Sequence, residues 1–161
     1  MQGPRARGLD VSHFHPVTDW DALVGSPAKP TMIGIKATEG PSFTDPRLED
    51  HQQGFRASPM LLAIYYHFAR SGDPREQARR FLAAVGPLEP RERVALDLEV
   101  SPAAGPEASL AWVDAFYDEL KQGASDRRPL IYTSKRQWDE LCGGAAWLTQ
   151  FSAAAKASTP M

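Results

Sequence analysis

The sequence contains no asparagine and a single cysteine, Cys142. One thiol cannot form an internal disulfide or a cysteine-based zinc site, and N-glycosylation requires asparagine. No apolar run approaches the roughly 20 residues that a membrane-spanning helix needs. There is no glycine-rich phosphate loop, and Ser12 and Ser134 lack the strand-turn-helix context of a serine hydrolase nucleophile. These absences argue against disulfide-rich, membrane-spanning, nucleotide-binding and serine-hydrolase proteins.

The charge is nearly balanced, with 18 basic and 20 acidic residues and a net charge of −2. Because no long basic run occurs, we expect neither nucleic acid nor a membrane surface as a partner. A chain of 161 residues with 42% hydrophobic content predicts a single domain over 1–161, with 152–161 as a loose tail. The basic residues near the N-terminus are not followed by the apolar segment of a signal peptide. We therefore expect synthesis in the cytoplasm and a separate route of release.

Short apolar segments alternate with amphipathic segments along the chain. Asp73, Pro74 and Glu76 form a capping box with proline at the first helical position, which predicts a helix ending at Gly86. A similar signal, Asp45 followed by Pro46, predicts another helix start. This alternation predicts an α/β fold with a mostly parallel sheet covered by helices. The six predicted strands are 7–11, 31–37, 60–68, 94–98, 129–132 and 146–151.

Asp97 and Glu99 alternate near the end of the fourth predicted strand. Side chains at i and i+2 of a strand share one face and lie roughly 6.6 Å apart, whereas Leu96 and Leu98 would face the core. Two neighbouring carboxylates repel, so that one keeps its proton to higher pH, as a general acid near neutrality must. A strand end with solvated acidic residues is the alternative on this stretch alone.

Polar residues also follow the other predicted strands. In parallel α/β folds the carboxyl ends of the strands meet at one edge, where sites form. Carboxyl groups beside aromatic rings are suited to protonating a glycosidic oxygen and stacking on sugars. His13 and His15 have a spacing that allows a metal contact, but a role in the local turn is favoured. The residues at successive strand ends are Asp10; Lys36 and Glu39; Tyr66, His67 and Arg70; Asp97 and Glu99; and Tyr132.

Several motifs occur in an order that resembles glycoside hydrolase family 25, the muramidase-type lysozymes of bacteria and phages. The resemblance implies an irregular, flattened β/α barrel of the TIM type with about six strands in this chain. The motifs that carry this resemblance extend over residues 8 to 138. The motifs are GLDVSHF at 8–14, IKATEG at 35–40, DP at 45–46, YHFAR at 66–70, LDLE at 96–99 and IYTS at 131–134, with Trp138 after them.

The resemblance implies hydrolysis of the β-1,4 bond between N-acetylmuramic acid and N-acetylglucosamine in peptidoglycan. Glu99 would be the proton donor, Asp97 would orient and stabilise the substrate's 2-acetamido group, and Asp10 would complete the carboxylate cluster. No metal or cofactor is required. The protein would reach the cell wall as a phage endolysin or through a specialised secretion route. Implied sugar-binding residues are Lys36, Glu39, Phe43, Tyr66 and Tyr132.

The chain departs from the family pattern at three places. Phe43 stands where tyrosine is frequent, and His51 stands where asparagine is frequent. Family members continue past the strand at 146–151 and carry a late aspartate, whereas no aspartate follows Asp139 here. We therefore expect a barrel incomplete at its C-terminal end and self-association through the open edge near Phe151. Asp10, Asp97 and Glu99 favour an enzyme, and the shorter C-terminal region favours the alternative, a non-catalytic peptidoglycan-binding or regulatory derivative.

Overall fold

A computed structural model describes residues 7–123 and 128–142 of the chain. These residues form a six-stranded sheet and five helices. The strands are β1 (Gly8–Val11), β2 (Met32–Glu39), β3 (Phe43–Thr44), β4 (Leu62–Phe68), β5 (Glu92–Asp97) and β6 (Leu130–Tyr132). The helices are α1 (Trp20–Gly25), α2 (Leu48–Ala57), α3 (Pro74–Val85), α4 (Pro106–Gly123) and α5 (Lys135–Cys142).

The strands are arranged in the order β1-β2-β4-β5-β6, and all neighbours on this path are parallel. The prediction of an α/β fold with a mostly parallel sheet is confirmed. Within the described ranges, β1 and β6 are the two ends of the sheet and the barrel is not closed. The predicted strand at 146–151 lies outside the described residues.

The strand β3 lies outside this path, and the sequence pattern did not predict it. It pairs antiparallel with the end of β2, with Thr38 opposite Thr44 and Glu39 opposite Phe43. Two residues are too few to show an alternating pattern. This strand exists because the chain turns back at Gly40, whose positive φ of 53° suits glycine, and meets β2 again.

The sheet has two different faces. One face packs against the helices, and its strand residues are almost completely buried. The opposite face, which corresponds to a barrel interior, is partly open. The main core residues on the helix side are Ile33, Ile35, Ala63, Tyr65, Val94 and Leu96 from the strands, and Phe55, Phe81, Phe116 and Leu120 from the helices.

Helix starts illustrate where local signals suffice. The predicted N-cap of α3 is confirmed, because the Asp73 side chain accepts a hydrogen bond from the Glu76 N–H at 2.9 Å. The predicted cap of α2 by Asp45 is wrong, since α2 begins at Leu48 without a side-chain cap. The buried Asp45 carboxylate instead binds the His13 backbone and ring and the Arg47 N–H. A distant partner therefore competes with the local capping signal.

A buried polar network joins α2 to the first residue of β5, at the amino end of the sheet. Glu92 is fully buried and accepts hydrogen bonds from Arg56 Nε and from the Tyr65 hydroxyl, both at 2.8 Å. Burial opposes ionisation of Glu92, but the bonds from Arg56 and Tyr65 outweigh it and hold its pKa below the usual value. This network ties helix to sheet far from the carboxyl ends of the strands. Among the described residues, no helix is long and apolar enough to cross a membrane.

Candidate active site

Three strands bring Asp10, Tyr66 and Asp97 to one end of the open face. The Tyr66 hydroxyl donates a hydrogen bond to Asp10 Oδ1 at 2.9 Å, although β2 lies between their strands. Gly34 of β2 pairs with Asp10, and a Cβ atom at this glycine would lie 3.3 Å from Asp10 Oδ2. The missing side chain at Gly34 therefore leaves room for the contact between β4 and β1.

A cavity of about 450 Å³ opens on this face of the sheet. Its polar residues come from the carboxyl halves of β1, β4, β5 and β6, as expected for a parallel α/β fold. The rest of its wall is formed by apolar side chains and glycines. The polar lining residues are Asp10, Tyr66, Asp97 and Tyr132, and the others include Gly8, Met32, Gly34, Ile64, Ala95 and Leu130.

Asp97 is the last residue of β5 and is only 8% exposed. Its Oδ1 atom is buried and has no hydrogen-bond partner among the described residues. Burial raises the pKa of Asp97 to about 7, the negative charges of Glu99 and Asp10 add to the increase, and Lys36 opposes it. Asp97 is therefore a carboxyl group that changes protonation state near neutral pH.

Glu99 does not lie in the strand, and the predicted strand geometry of the pair is wrong in this respect. β5 ends at Asp97, Glu99 is exposed in a bend, and the intervening Leu98 is buried. The Leu98 N–H donates to the Tyr132 carbonyl at 2.8 Å, which continues the contact with β6 without a regular strand. The two carboxyl groups remain close enough for Glu99 to raise the pKa of Asp97. The chain thus separates a buried and an exposed carboxyl group two residues apart.

A β-bulge at Ala37 places Lys36 and Glu39 on the same face. Lys36 pairs with Tyr66 and Glu39 with Phe68, whereas Ala37 has no partner in this ladder. Tyr66 and Phe68 are two residues apart and share the cavity side of the sheet, so their partners share it too. In an unbroken strand, residues three apart would point to opposite faces. The bulge allows the ion pair of 2.5 Å between Lys36 Nζ and Glu39 Oε2.

The opposite side of the bulge is held by a buried hydrogen-bond chain. Thr38 Oγ1 lies 2.8 Å from His67 Nδ1, and His67 Nε2 lies 3.0 Å from Gln77 Oε1. The Gln77 amide nitrogen donates to the Arg70 and Ser71 carbonyls, so its oxygen is the acceptor for His67. His67 therefore carries its proton on Nε2 and accepts from Thr38 on Nδ1. Burial lowers the pKa of His67 to about 4, which keeps the ring neutral.

Lys36 connects the carboxylates with aromatic side chains. Its ammonium group lies 5.7 Å from the ring centre of Phe43 and 5.4 Å from that of Phe68. Glu39 is also bound by Arg70, at 2.7 Å. Burial opposes ionisation of Glu39, but Lys36 and Arg70 outweigh it and lower its pKa. Lys36 thus supplies a positive charge near Asp97 and Asp10, which offsets part of the rise in their pKa values that burial causes.

The structure brings the residues singled out from the sequence to one end of the sheet. Asp10, Tyr66, Asp97 and Tyr132 line the cavity. Glu99 influences Asp97, and Lys36 links Glu39 and Phe43 to the cluster. Sequence reasoning missed the bulge at Ala37, the role of Gly34 and the partner of His13. Among residues 7–123 and 128–142, no group of three or more His, Cys, Asp or Glu is arranged to hold a metal ion.

Two histidines, His13, for which a role in the local turn was favoured, and His51, have structural partners. His13 binds Asp45 through its ring Nδ1 at 2.8 Å and through its backbone N–H at 3.0 Å. His51 is fully buried in α2, and its Nε2 accepts a hydrogen bond from the Val17 N–H at 3.2 Å. Both histidines therefore anchor the loop that follows β1.

The sheet, the helices on one of its faces and the carboxyl cluster at the strand ends define an open β/α-barrel fold with a carboxylate-lined cavity. The model of the family described as glycosyl hydrolases family 25 matches residues 9–160. The chain belongs to this family, and the resemblance seen in its motifs is confirmed.

Similar proteins include lysozymes and a muramidase. The chain is 27% identical over 128 residues to an autolytic lysozyme of Clostridium acetobutylicum, covering 80% of this chain and 39% of that protein. It is 28% identical over 153 residues to the N,O-diacetylmuramidase of Chalaropsis sp, covering 86% and 71%. The structure of a family GH25 lysozyme from Aspergillus fumigatus superposes with a TM-score of 0.75 at 28% identity, covering 86% and 69%. The chain therefore spans well under half of the clostridial lysozyme and about 70% of the two fungal proteins.

Proposed function

We propose that the protein is an N-acetylmuramidase that hydrolyses the β-1,4 bond between N-acetylmuramic acid and N-acetylglucosamine in peptidoglycan. The observation that carries the proposal is the buried Asp97 carboxyl group, which titrates at about 7 in a cavity shared with Asp10 and beside the exposed Glu99. Glycoside hydrolases use a pair of carboxyl groups in two different environments, which gives the two groups different protonation states and roles. The similar lysozyme of Clostridium acetobutylicum and the diacetylmuramidase of Chalaropsis sp support this substrate class.

In this proposal the two carboxyl groups have different roles. In the free protein Asp97 holds the proton of the pair, since its pKa is about 7. When a bound sugar covers the exposed Glu99, the proton passes from Asp97 to Glu99, which donates it to the glycosidic oxygen as the bond to the anomeric carbon breaks. The oxygen of the substrate's 2-acetamido group attacks the anomeric carbon, and the negative charge of Asp97 stabilises the positive charge that develops. Water then attacks the anomeric carbon, the bond from that carbon to the acetamido oxygen breaks, and a proton of the water passes to the Glu99 carboxylate, which restores the starting state. Asp97 and Glu99 both belong to the chain segment at the end of β5, and such adjacent groups are poorly placed to bracket a bond from opposite sides.

The remaining site residues act on the sugar and on the charge of Asp97. Tyr66 holds Asp10 by the hydrogen bond between its hydroxyl and Oδ1. Tyr132 is 61% exposed at the mouth of the cavity, where its ring can stack on a pyranose. Lys36 and Glu39 form an ion pair on the cavity side of the sheet, with Phe43 beside the ammonium group. We propose that these residues bind the glycan strand.

In this proposal residues 1–161 form a single domain that acts on the cell wall. The chain would be made in the cytoplasm and would reach the wall by release from a lysing cell or by specialised secretion. Self-association through the edge near Phe151 stays a prediction, because that segment lies outside the described residues.

The decisive experiment compares clearing of a suspension of purified cell walls by the wild type and by Glu99→Gln and Asp97→Asn. Glu107→Gln is the matched control, since Glu107 is exposed in the first turn of α4 and does not line the cavity. We expect the wild type and the control to clear the suspension and to release muramic acid reducing ends. Loss of the general acid should lower the rate by about 100-fold or more.

The outcomes separate the two functional classes. Undiminished lysis by Glu99→Gln would rule out Glu99 as the proton donor. Wall binding without lysis by the wild type would contradict the muramidase proposal and support a non-catalytic peptidoglycan-binding protein.

A further inference from the structure

A second group of aromatic side chains lies beside the cavity, at the carboxyl end of β1. Phe14 is 71% exposed, and its ring centre lies 3.9 Å from that of His13. The ring of His13 in turn lies 5.3 Å from that of Phe43, which is 37% exposed. We call Phe14, His13 and Phe43 the aromatic cluster. None of its three residues lines the cavity of Asp97.

The loop that carries the aromatic cluster is held in place. The Asp45 side chain is fully buried beneath it and accepts two hydrogen bonds from His13, through the backbone at 3.0 Å and the ring at 2.8 Å. Ser12 pairs with His15 across the turn, and the Ser12 hydroxyl accepts from the Phe14 N–H at 3.3 Å. Burial opposes ionisation of Asp45, but the bonds from His13 and Arg47 outweigh it and lower its pKa. The ring of Phe14 is therefore displayed on an ordered turn, although exposing it gains nothing for folding.

Contacts connect the aromatic cluster with the carboxyl cluster. Phe43 of β3 pairs with Glu39 of β2, so both lie on the cavity side of the sheet, and the Lys36 ammonium group lies 5.7 Å from the Phe43 ring. Lys36 also acts on Asp97 and Asp10 through its charge. A polymer bound over the carboxylates therefore has a continuous path across Lys36 to Phe43 and then to Phe14.

We propose that the aromatic cluster is an additional binding site for the glycan strand, with Phe14 as its outermost stacking residue. The chemistry favours sugar, because aromatic faces without a neighbouring free charge suit the apolar faces of pyranose rings. The site engages sugars of a long strand that extend beyond those around the scissile bond. This inference rests on the proposed function, since it assumes the same polymer.

The test measures binding of soluble peptidoglycan glycans without stem peptides, by calorimetry, on the Glu99→Gln background so that the probes persist. A tetrasaccharide and an octasaccharide are compared for the parent, Phe14→Ala, Phe14→Trp and the matched control Leu61→Ala. Leu61 is also 71% exposed, but it precedes β4 at the opposite end of the sheet. We expect Phe14→Ala to weaken octasaccharide binding by about 3- to 10-fold with a smaller effect on the tetrasaccharide, in line with the loss of one aromatic stacking contact. Phe14→Trp should retain the parent affinity, and Leu61→Ala should bind like the parent.

Three results would overturn the proposal. One is an octasaccharide affinity of Phe14→Ala equal to that of Leu61→Ala. Another is an equal loss for both lengths, which would place Phe14 at the scissile bond. The third comes from a parallel titration with the same glycans carrying stem peptides: a loss of affinity seen only with those fragments would make the aromatic cluster a peptide site. Parent binding of the octasaccharide without wall lysis by the wild type would contradict the muramidase proposal alone and would leave the glycan site standing.

Discussion

Replacing Asp97 by asparagine should stabilise the folded protein at neutral and alkaline pH. Asp97 is 8% exposed, and its Oδ1 has no hydrogen-bond partner among the described residues. Above its pKa the folded protein must hold this carboxylate as a buried negative charge near Glu99 and Asp10. Asparagine has nearly the same shape and no charge, so the substitution removes the repulsion and most of the desolvation cost.

The magnitude follows from the difference between the pKa values of the folded and unfolded protein. The pKa of Asp97 is about 7 in the fold and 3.8 in its ordinary state. Each pKa unit corresponds to about 1.4 kcal/mol, so ionised Asp97 lowers the free energy of unfolding by about 4 kcal/mol. The folded protein binds the extra proton between these two pKa values, so this loss begins above pH 4 and is complete only above pH 7. Below pH 4 Asp97 is protonated in both states and asparagine gives no advantage.

His67 has the opposite effect over an overlapping range of pH. Its pKa is about 4 in the fold against 6.5 in its ordinary state, because burial disfavours the charged ring. The neutral ring contributes stability that is fully present above pH 6.5 and is lost as the pH falls toward 4. The two effects nearly cancel in the wild type between pH 4 and 6.5. The prediction therefore concerns the difference between Asp97→Asn and the wild type at each pH.

Urea unfolding at intervals from pH 4 to pH 8.5 measures this difference. We expect the free energy of unfolding of Asp97→Asn to equal that of the wild type near pH 4 and to exceed it by up to about 4 kcal/mol at pH 8. Asp21→Asn is the matched control, because Asp21 is exposed in the first turn of α1, and its difference should stay within about 0.5 kcal/mol at every pH. A variant less stable than the wild type at pH 8, or a difference independent of pH, would refute the reasoning about Asp97.

Three further substitutions test the packing of α2 against α1 and the charges and hydrogen bonds around the site. Gly54→Ala should lower the free energy of unfolding by about 1–3 kcal/mol in urea titrations, because its Cβ would lie 2.0 Å from the Trp20 ring; unchanged stability would contradict this packing. Lys36→Met should raise the pKa of Asp97, measured by NMR of its carboxyl carbon, because the lysine charge lowers that pKa; an unchanged or lower value would show that the charge does not reach Asp97. Thr38→Val removes the hydroxyl that bonds the buried His67 ring behind the β-bulge, so the free energy of unfolding should fall by about 1 kcal/mol and wall lysis should slow. Lysis at the wild-type rate would count against the bulge as an element that positions the site.

Much of the fold could be predicted because its signals are local. The N-cap at Asp73 and the glycine at the end of α3 act within a few residues, and both lie where the sequence placed them. The apolar strands follow from continuous runs that only a buried parallel sheet accommodates. The residues at the strand ends could also be collected from the sequence, because parallel topology alone brings the carboxyl ends of strands together.

The errors arise where a distant partner outweighs the local pattern. Asp45 has the sequence context of a helix cap, yet its Oδ2 binds His13, 32 residues away, and its Oδ1 binds the Arg47 N–H ahead of a helix that begins only at Leu48. β3 is too short to carry a pattern and exists only by pairing with β2. Ala37 looks like an ordinary strand residue, and its bulge is visible only in the register with β4.

The sequence by itself determined the alternation of strands and helices, the motifs of the family and the presence of two carboxyl groups two residues apart. The tertiary structure decided that these groups differ, with Asp97 buried and titrating at about 7 and Glu99 exposed at a bend. It also decided that Lys36 and Glu39 share a face and that Phe14 is exposed on a turn beside His13. Residue type and spacing determine local backbone preference, but a pKa depends on burial and on charges contributed by other strands. Those quantities exist only once the strands have assembled.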